Sequence, residues 1–253
     1  MIITFLGTGT SQGVPVIACT CEVCTSADKH DKRLRTSIMI EAEDKVIVID
    51  SGPDFRYQML REHVMHLDAI VFTHEHKDHV AGMDDIRAFN YKQDAAMDIY
   101  ATSRVQEGLR REFSYIFDEF KYPGIPQVNM HTIVTEPFHI GSVKLIPIEV
   151  MHYKLPVLGY RINDFTYITD AKTVTDAEKE KIKGSKVLVI NALQRQPHIS
   201  HFTLDEAIAF AQEIGAEKTY FTHISHRLGK HADVNPLLPQ GIELAYDGLK
   251  IEI

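Results

Sequence analysis

His74-Glu75-His76-Lys77-Asp78-His79 places four potential metal ligands, His74, His76, Asp78 and His79, within six residues, directly behind the apolar run 69–72. Side chains alternate across an extended chain, so His74 and His76 point the same way and can share one cation. The turn that follows swings Asp78 and His79 toward a second. Imidazole and carboxylate together suit zinc, iron or manganese rather than calcium. The string therefore predicts a dinuclear metal site at the end of a strand.

The same design recurs along the chain. Tyr167-Ile168-Thr169-Asp170 and Tyr220-Phe221-Thr222-His223 repeat the order of Val71-Phe72-Thr73-His74: an apolar strand, a Thr, then a ligand-type side chain. Val48-Ile49-Asp50 and Val150-Met151-His152 end strands in a similar way. Functional residues of open α/β sheets gather outside the strand ends, so these positions are expected to converge on one rim.

Apolar patterning predicts further strands over 2–6, 37–41, 45–50, 98–101, 128–134, 143–149, 157–162, 165–169 and 218–222. Helices are expected from Pro53, over 82–92, and from the capping box Thr203-Leu204-Asp205-Glu206 to Ile214. Asp247-Gly248 predicts a type I′ hairpin between strands 242–246 and 249–253. Helices interrupt the strands throughout, and no Pro/Gly/Ser-rich linker or repeat divides the chain. The expectation is an α/β fold, two sheets face to face with helices outside, in one domain over 1–253. Residues 104–127 stand out as an insertion or lid carrying Phe113, Tyr115, Phe117, Phe120 and Tyr122, aromatics that serve equally well as ordinary core.

Composition narrows the function. The net charge is −8, so no basic surplus exists to neutralise the phosphates of a long nucleic acid. The three cysteines all lie between positions 19 and 24, an odd, clustered set that is no disulfide framework. The opening Met1-Ile2-Ile3-Thr4 carries no leader pattern, and no apolar run approaches the ~18 residues of a membrane span. A cytoplasmic protein without a membrane partner is expected. In Cys19-Thr20-Cys21-Glu22-Val23-Cys24, three thiols share one loop; a structural zinc takes four ligands, which leaves a distant His to close the site. Gly7, Gly9 and Gly13 are not a dinucleotide fingerprint, because Gly13 leads into Val14-Pro15 rather than a helix; a tight turn beside the rim is expected there.

The HxHxDH string with a later His, Asp and His resembles the metallo-β-lactamase-fold hydrolases, which implies a four-layer αββα sandwich. By that resemblance His74, His76 and His152 bind a first metal, Asp78, His79 and His223 a second, and Asp170 bridges both. Asp50 then orients a ligand imidazole. His76 stands where the diiron oxidoreductases of that superfamily usually carry Glu, and the chain has no room for a flavin domain, which favours hydrolysis over redox chemistry. Gly13-Val14-Pro15, the spacing of Cys19, Cys21 and Cys24, and Thr222-His223-Ile224-Ser225-His226 are similar to the phosphoribosyl cyclic phosphodiesterase (PhnP-like) group. This makes His226 the fourth ligand of a structural zinc. His201 occupies the place of that group's general acid, with His198 the nearby alternative. In Arg33-Leu34-Arg35-Thr36-Ser37 only the basic character matches.

The resemblance implies a metal-dependent phosphodiesterase acting on a small cyclic phosphodiester of a ribose or nucleotide. Asp78 and His201 would be its catalytic side chains, and two divalent ions, zinc or manganese, would hold a hydroxide between them. It also points to a homodimer. The rivals are a tRNA 3′-processing nuclease, which would want a basic or Gly-rich arm that is not visible, a lactonase or thioesterase, and a metal-binding biosynthetic accessory of the pyrroloquinoline-quinone B type that lacks turnover.

Overall fold

Strand β3 (Lys45–Ile49) is apolar on both faces: Ile47 and Ile49 enter one buried cluster, while Val46 and Val48 face another. A strand buried on both sides needs a packed layer on each. The computed structural model, which describes residues 1–119 and 122–253, meets that need with two seven-stranded sheets among the described residues.

In the first sheet, β14 (Lys250–Glu252), β1 (Ile2–Gly7), β2 (Ser37–Ala42) and β3 are antiparallel, and β4 (Ala69–Val71), β5 (Met97–Ala101) and β6 (Val128–Thr132) continue parallel to β3. The second mirrors it. Here β7 (Phe138–Ile140), β8 (Val143–His152), β9 (Leu155–Ile162) and β10 (Phe165–Tyr167) are antiparallel, and β11 (Val187–Asn191), β12 (Lys218–Thr222) and β13 (Ile242–Leu244) run parallel to β10. Between the sheets lie Phe5, Ile47, Val71, Leu145, Tyr160 and Tyr167.

Helices α1 (Phe55–Arg61), α2 (Lys77–Val80), α3 (Arg87–Gln93), α4 (Ser103–Glu112) and α5 (Ser114–Phe117) cover the outer face of the first sheet through Phe55, Val80, Phe89, Val105 and Ile116. Helices α6 (Asp176–Ile182), α7 (Leu204–Ile214) and α8 (His231–Val234) cover the second through Ile182, Phe210 and Val234. Three apolar interfaces thus separate four layers, the expected αββα sandwich. The capping box opens α7 as expected: the Glu206 carboxylate accepts the Thr203 N–H at 2.8 Å, and the Thr203 hydroxyl oxygen accepts the Glu206 N–H at 3.3 Å.

One expectation fails. Asp247-Gly248 joins the two sheets instead of closing a hairpin, because β13 pairs with β12 and β14 with β1. Only Gly248 of the pair has positive φ, 87°, whereas a type I′ turn needs both. Asp247 is held by long-range bonds: its carboxylate accepts from the Thr8 hydroxyl and the Leu34 N–H, both at 2.8 Å. The helix expected over 82–92 divides into a 3₁₀ turn, Met83–Ile86, and α3. In the stretch 104–127, Phe113 and Ile116 are buried in the outer core, Tyr115 and Tyr122 are exposed, and Phe120 lies outside the described residues. Among the described residues no helix is long and apolar enough to cross a membrane.

Candidate metal centre

Three strand ends bend back sharply. Asp50 after β3, Asp170 after β10 and His223 after β12 have φ of 64°, 55° and 55°. That left-handed region is uncommon for residues other than Gly, with Asn, Asp and His the most frequent exceptions. The bend sends the backbone away while the side chain stays over the rim, and strain of this kind collects at functional sites.

Around the rim six imidazoles close a ring. Successive centroids lie 4.5 Å apart for His74–His76, 5.2 Å for His76–His152, 4.6 Å for His152–His201, 4.7 Å for His201–His223, 5.9 Å for His223–His79 and 4.2 Å for His79–His74. Asp170 faces this ring with both oxygens. Oδ1 is 3.3 Å from His79 Nε2 and 3.2 Å from His223 Nε2; Oδ2 is 3.8 Å from His74 Nε2 and 3.9 Å from His201 Nε2.

Ligand atoms within 4.8 Å of one another form three groups that share Asp170: Asp78, His79 and His223; His74 and His76; His152 and His201. Every rim residue singled out in the sequence is therefore present. His152 differs in detail, because its ligand atom groups with His201 rather than with His74 and His76. His198 stands outside the ring, 5.1 Å from His201, with Nδ1 accepting the Ser200 N–H.

The rings are oriented from behind. His79 Nδ1–H donates to the buried Asp50 Oδ2 at 2.7 Å. The Thr73 N–H and hydroxyl also donate to Asp50, each at 2.8 Å, so the hydroxyl oxygen accepts from His74 Nδ1–H at 2.9 Å. His152 Nδ1–H donates to the Ser200 carbonyl at 2.9 Å. With Nδ1 donating on all three rings, Nε2 is the nitrogen left to face a metal. Asp50 thus supports His79 directly and His74 through Thr73. Thr169 performs a related task, its hydroxyl donating to Asp170 Oδ1 at 2.7 Å. The repeated Thr in the sequence was the signal for this layer; nothing there announced the Ser200 carbonyl.

Electrostatics favour a cation. Burial pushes His74 well below the usual imidazole range, leaving it a neutral donor of a lone pair. Burial also opposes charge on His79, but Asp78, Asp170 and Asp50 outweigh it and hold His79 well above that range. Burial would raise Asp170 as well, yet His223 and His79 hold it well below the usual carboxylate range. Nε2 of His79, both nitrogens of His223 and Nδ1 of His201 are buried without a hydrogen-bond partner. Each such atom costs about 1–3 kcal/mol unless it finds a partner. Two carboxylates, Asp78 and Asp170, among several imidazole nitrogens fit divalent cations.

Thr73→Val keeps the side chain's shape and removes the hydroxyl that links Asp50 to His74. It is expected to weaken metal binding about 10–100-fold with the fold retained, read by titrating chelator-stripped protein with zinc or manganese. Wild-type affinity in this variant would remove Thr73 from the ligand-orienting layer.

A second cluster lies beyond β12. His226 Nδ1 is 3.3 Å from Cys19 Sγ, 3.3 Å from Cys21 Sγ and 3.6 Å from Cys24 Sγ. Zinc at ~2.3 Å from sulfur and ~2.0–2.1 Å from nitrogen in a tetrahedron requires S···N separations of about 3.5 Å. The four residues stand at that spacing. The Cys24 backbone N–H, with His226, lowers Cys21 to about 6, while burial raises Cys24 to about 11. The glycine loop packs between the two clusters: Gly9 bridges Arg35 and Ile224, and a Cβ there would lie 2.7 Å from the Arg33 carbonyl oxygen. The expected tight turn follows at 10–13, where the Gly13 N–H donates to the Thr10 carbonyl at 2.7 Å and Gly13 has a φ of 65°.

Residues 45–224 match the family described as the Beta-lactamase superfamily domain. The chain belongs to that superfamily. Within it the protein is PhnP-like: the solved structure of a new diphosphatase from the PhnP family superposes with a TM-score of 0.94 at 42% identity, covering 100% of this chain and 97% of that one. An octanoyltransferase of Porphyromonas gingivalis is 40% identical over 248 residues, 97% of this chain and 50% of that protein. The chain spans half or less of the length of such curated relatives, as also for the coenzyme PQQ synthesis protein B of Methylorubrum extorquens, where the match covers 34% of each. The structure of Zn(2+)-bound PqqB from Methylobacterium extorquens covers both chains fully with a TM-score of 0.81, but at 18% identity this is a likeness of fold alone. The superfamily fold implies divalent metal ions, and the clusters above are candidate places for them.

Proposed function

We propose that the protein is a metal-dependent hydrolase that opens a small cyclic phosphodiester of a ribose or nucleotide. The observation that carries this reading is Asp170, with one oxygen toward His79 and His223 and the other toward His74 and His201. A carboxylate so placed could be shared by two divalent cations. His74, His76, His152 and Asp170 would hold one cation, and Asp78, His79, His223 and Asp170 the other, zinc or manganese in each. Such a pair acidifies water and neutralises charge on a phosphoryl group. Likeness to a diphosphatase points the same way, toward phosphorus rather than carbon as the reacting centre. Cys19, Cys21, Cys24 and His226 would hold a separate structural zinc.

The leaving alkoxide needs a proton, and His201 is the side chain we assign to give it. It sits within the ring between His152 and His223, whereas His198 stands outside. Burial pushes His201 to about 2, so it is neutral at rest; an anionic phosphodiester beside it favours its charged form. His201→Ala is expected to lower turnover about 10²–10⁴-fold with metal content unchanged. A parallel loss of metal would make His201 a ligand instead, the alternative that its grouping with His152 and Asp170 allows.

The proposal is tested by incubating the metal-loaded protein with 2′,3′- and 3′,5′-cyclic nucleotides, ribose 1,2-cyclic phosphate, a lactone and an octanoyl thioester. Ring opening of a cyclic phosphodiester is the expected result. Turnover of the lactone or thioester with none of the phosphodiesters would overturn it, and inactivity toward all of them would point to a non-catalytic role.

A further inference from the structure

Of the two histidines in Pro197-His198-Ile199-Ser200-His201, His201 belongs to the ring and His198 stands outside it. The stretch follows β11 and is anchored again at Phe202. There the Phe202 N–H donates to the Ala171 carbonyl at 2.9 Å, and the Phe202 carbonyl accepts the Leu193 N–H at 3.0 Å. Ahead of that anchor the chain has no ladder: among the described residues, 196–201 make no backbone–backbone hydrogen bond. Ile199 in the middle is exposed, so burial does little to hold the apex either. The orientation of its peptide planes therefore depends on side chains.

One of those planes bears on the metal centre. The Ser200 carbonyl accepts His152 Nδ1–H at 2.9 Å, which leaves His152 Nε2 for a cation. Ser200 is gripped from its other side by His198, whose Nδ1 accepts the Ser200 N–H and lies equally near the Ser200 hydroxyl, each at 3.3 Å. A backbone N–H can only donate, so Nδ1 of His198 is the bare nitrogen and its proton sits on Nε2. A side chain that accepts the N–H two residues on makes an Asx-turn. Here an imidazole does the work usually given to Asn or Asp. Its ring also packs against His201, 5.1 Å between centroids.

We propose that His198 is a positioning residue for His152: by holding Ser200 it fixes the carbonyl that selects the His152 tautomer. Without that grip the apex takes up other conformations, and the carbonyl no longer faces His152 at a constant distance. His152 then populates the tautomer protonated at Nε2, which offers a metal no lone pair. His198 thereby acts on the cation assigned to His74, His76, His152 and Asp170 without touching it. This role is separate from the proton donation assigned to His201. The inference rests on the metal-centre reading and is indifferent to which substrate is hydrolysed.

Two substitutions separate the ring nitrogens of His198. Asn puts Oδ1 where His carries Nδ1 and can accept the Ser200 N–H, whereas Gln puts its oxygen nearer the place of Nε2. In chelator-stripped protein, long-range proton–nitrogen NMR reports the tautomer of each imidazole, and the His152 signals are those lost in His152→Gln. Wild type is expected to show His152 protonated at Nδ1. His198→Ala and His198→Gln should show a mixture of tautomers, and His198→Asn should return the wild-type form. Zinc titration of the same proteins should find the ring's affinity lowered about 10–100-fold in the Ala and Gln variants and recovered with Asn. Thermal unfolding of each variant checks the fold. An unchanged His152 tautomer in His198→Ala, or equal rescue by Gln and Asn, would overturn the proposal. A tautomer that follows His198 in a protein whose ring binds no metal would reject the metal-centre reading alone. Metal binding at wild-type strength in all three variants would reject this inference alone.

Discussion

Replacing His74 and His76 together by alanine is expected to reduce phosphodiester hydrolysis by at least about 10³-fold, because the several kcal/mol that metals supply to a transition state disappear with their ligands. Metal analysis after dialysis should fall from about three ions per chain to about one tightly held zinc. The loss should exceed one ion because the two cation positions proposed above would be coupled. They share Asp170, and they share Asp50, which orients His79 directly and His74 through Thr73. Removing the neutral imidazoles also leaves Asp50, Asp78 and Asp170 close together with fewer donors to balance them, so the remaining catalytic cation is held poorly. The zinc that stays is the one assigned to the cysteine loop, whose four residues include none of those altered. A double variant with wild-type metal content would show that the ring is not the metal centre. A variant devoid of zinc would refute the separate structural site.

The rim was legible because ligand chemistry is local. Four ligand-type side chains fall within six residues, and Asp50, Asp170 and His223 each follow an apolar strand, so their convergence needed only the rule that strand ends share an edge. The capping box of α7 was legible for the same reason: all its partners lie within three residues. What stayed hidden depends on partners far along the chain. Asp247-Gly248 carries a hairpin signal, but Asp247 bonds to Thr8 and Leu34, and those contacts decide the path. Strand β11 buries both faces, as β3 does, and a short apolar run without alternation fits a strand and a buried helix segment alike. The pairing of Glu75 with Arg104 spans 29 positions and leaves no pattern in the sequence. Cys21 and His226 lie 205 positions apart, so spacing alone asks for a fourth ligand without naming it; the family resemblance did that.

Cys21→Ser is expected to release the zinc proposed for the cysteine loop and to lower the midpoint of thermal unfolding by about 6–20 °C. Few apolar contacts hold the loop: Val14, Val23 and Cys24 form its buried cluster, far smaller than the three that separate the layers. Ser offers a hard, weakly acidic oxygen where zinc prefers thiolate, and three ligands do not close a structural site. Loss of such a constraint costs about 3–5 kcal/mol, in the range of a lost disulfide. In a protein of this size each kcal/mol is worth roughly 2–4 °C. The damage should be graded along the chain. Backbone amides over 14–33 should exchange fastest, and those of β12 more slowly, because the chain leaving β12 stays tied by the Ile224 N–H to the Thr8 carbonyl at 2.8 Å and by the Thr10 N–H to the Ile224 carbonyl at 3.1 Å. His223 and His226 leave β12 three residues apart, so hydrolysis should weaken with the zinc but by far less than in the His74→Ala/His76→Ala variant. Retained zinc in Cys21→Ser, or a wild-type protein that holds none and melts at the same temperature, would defeat the structural assignment. Protection lost evenly across both sheets would place the zinc's contribution in the global fold rather than in the loop it closes.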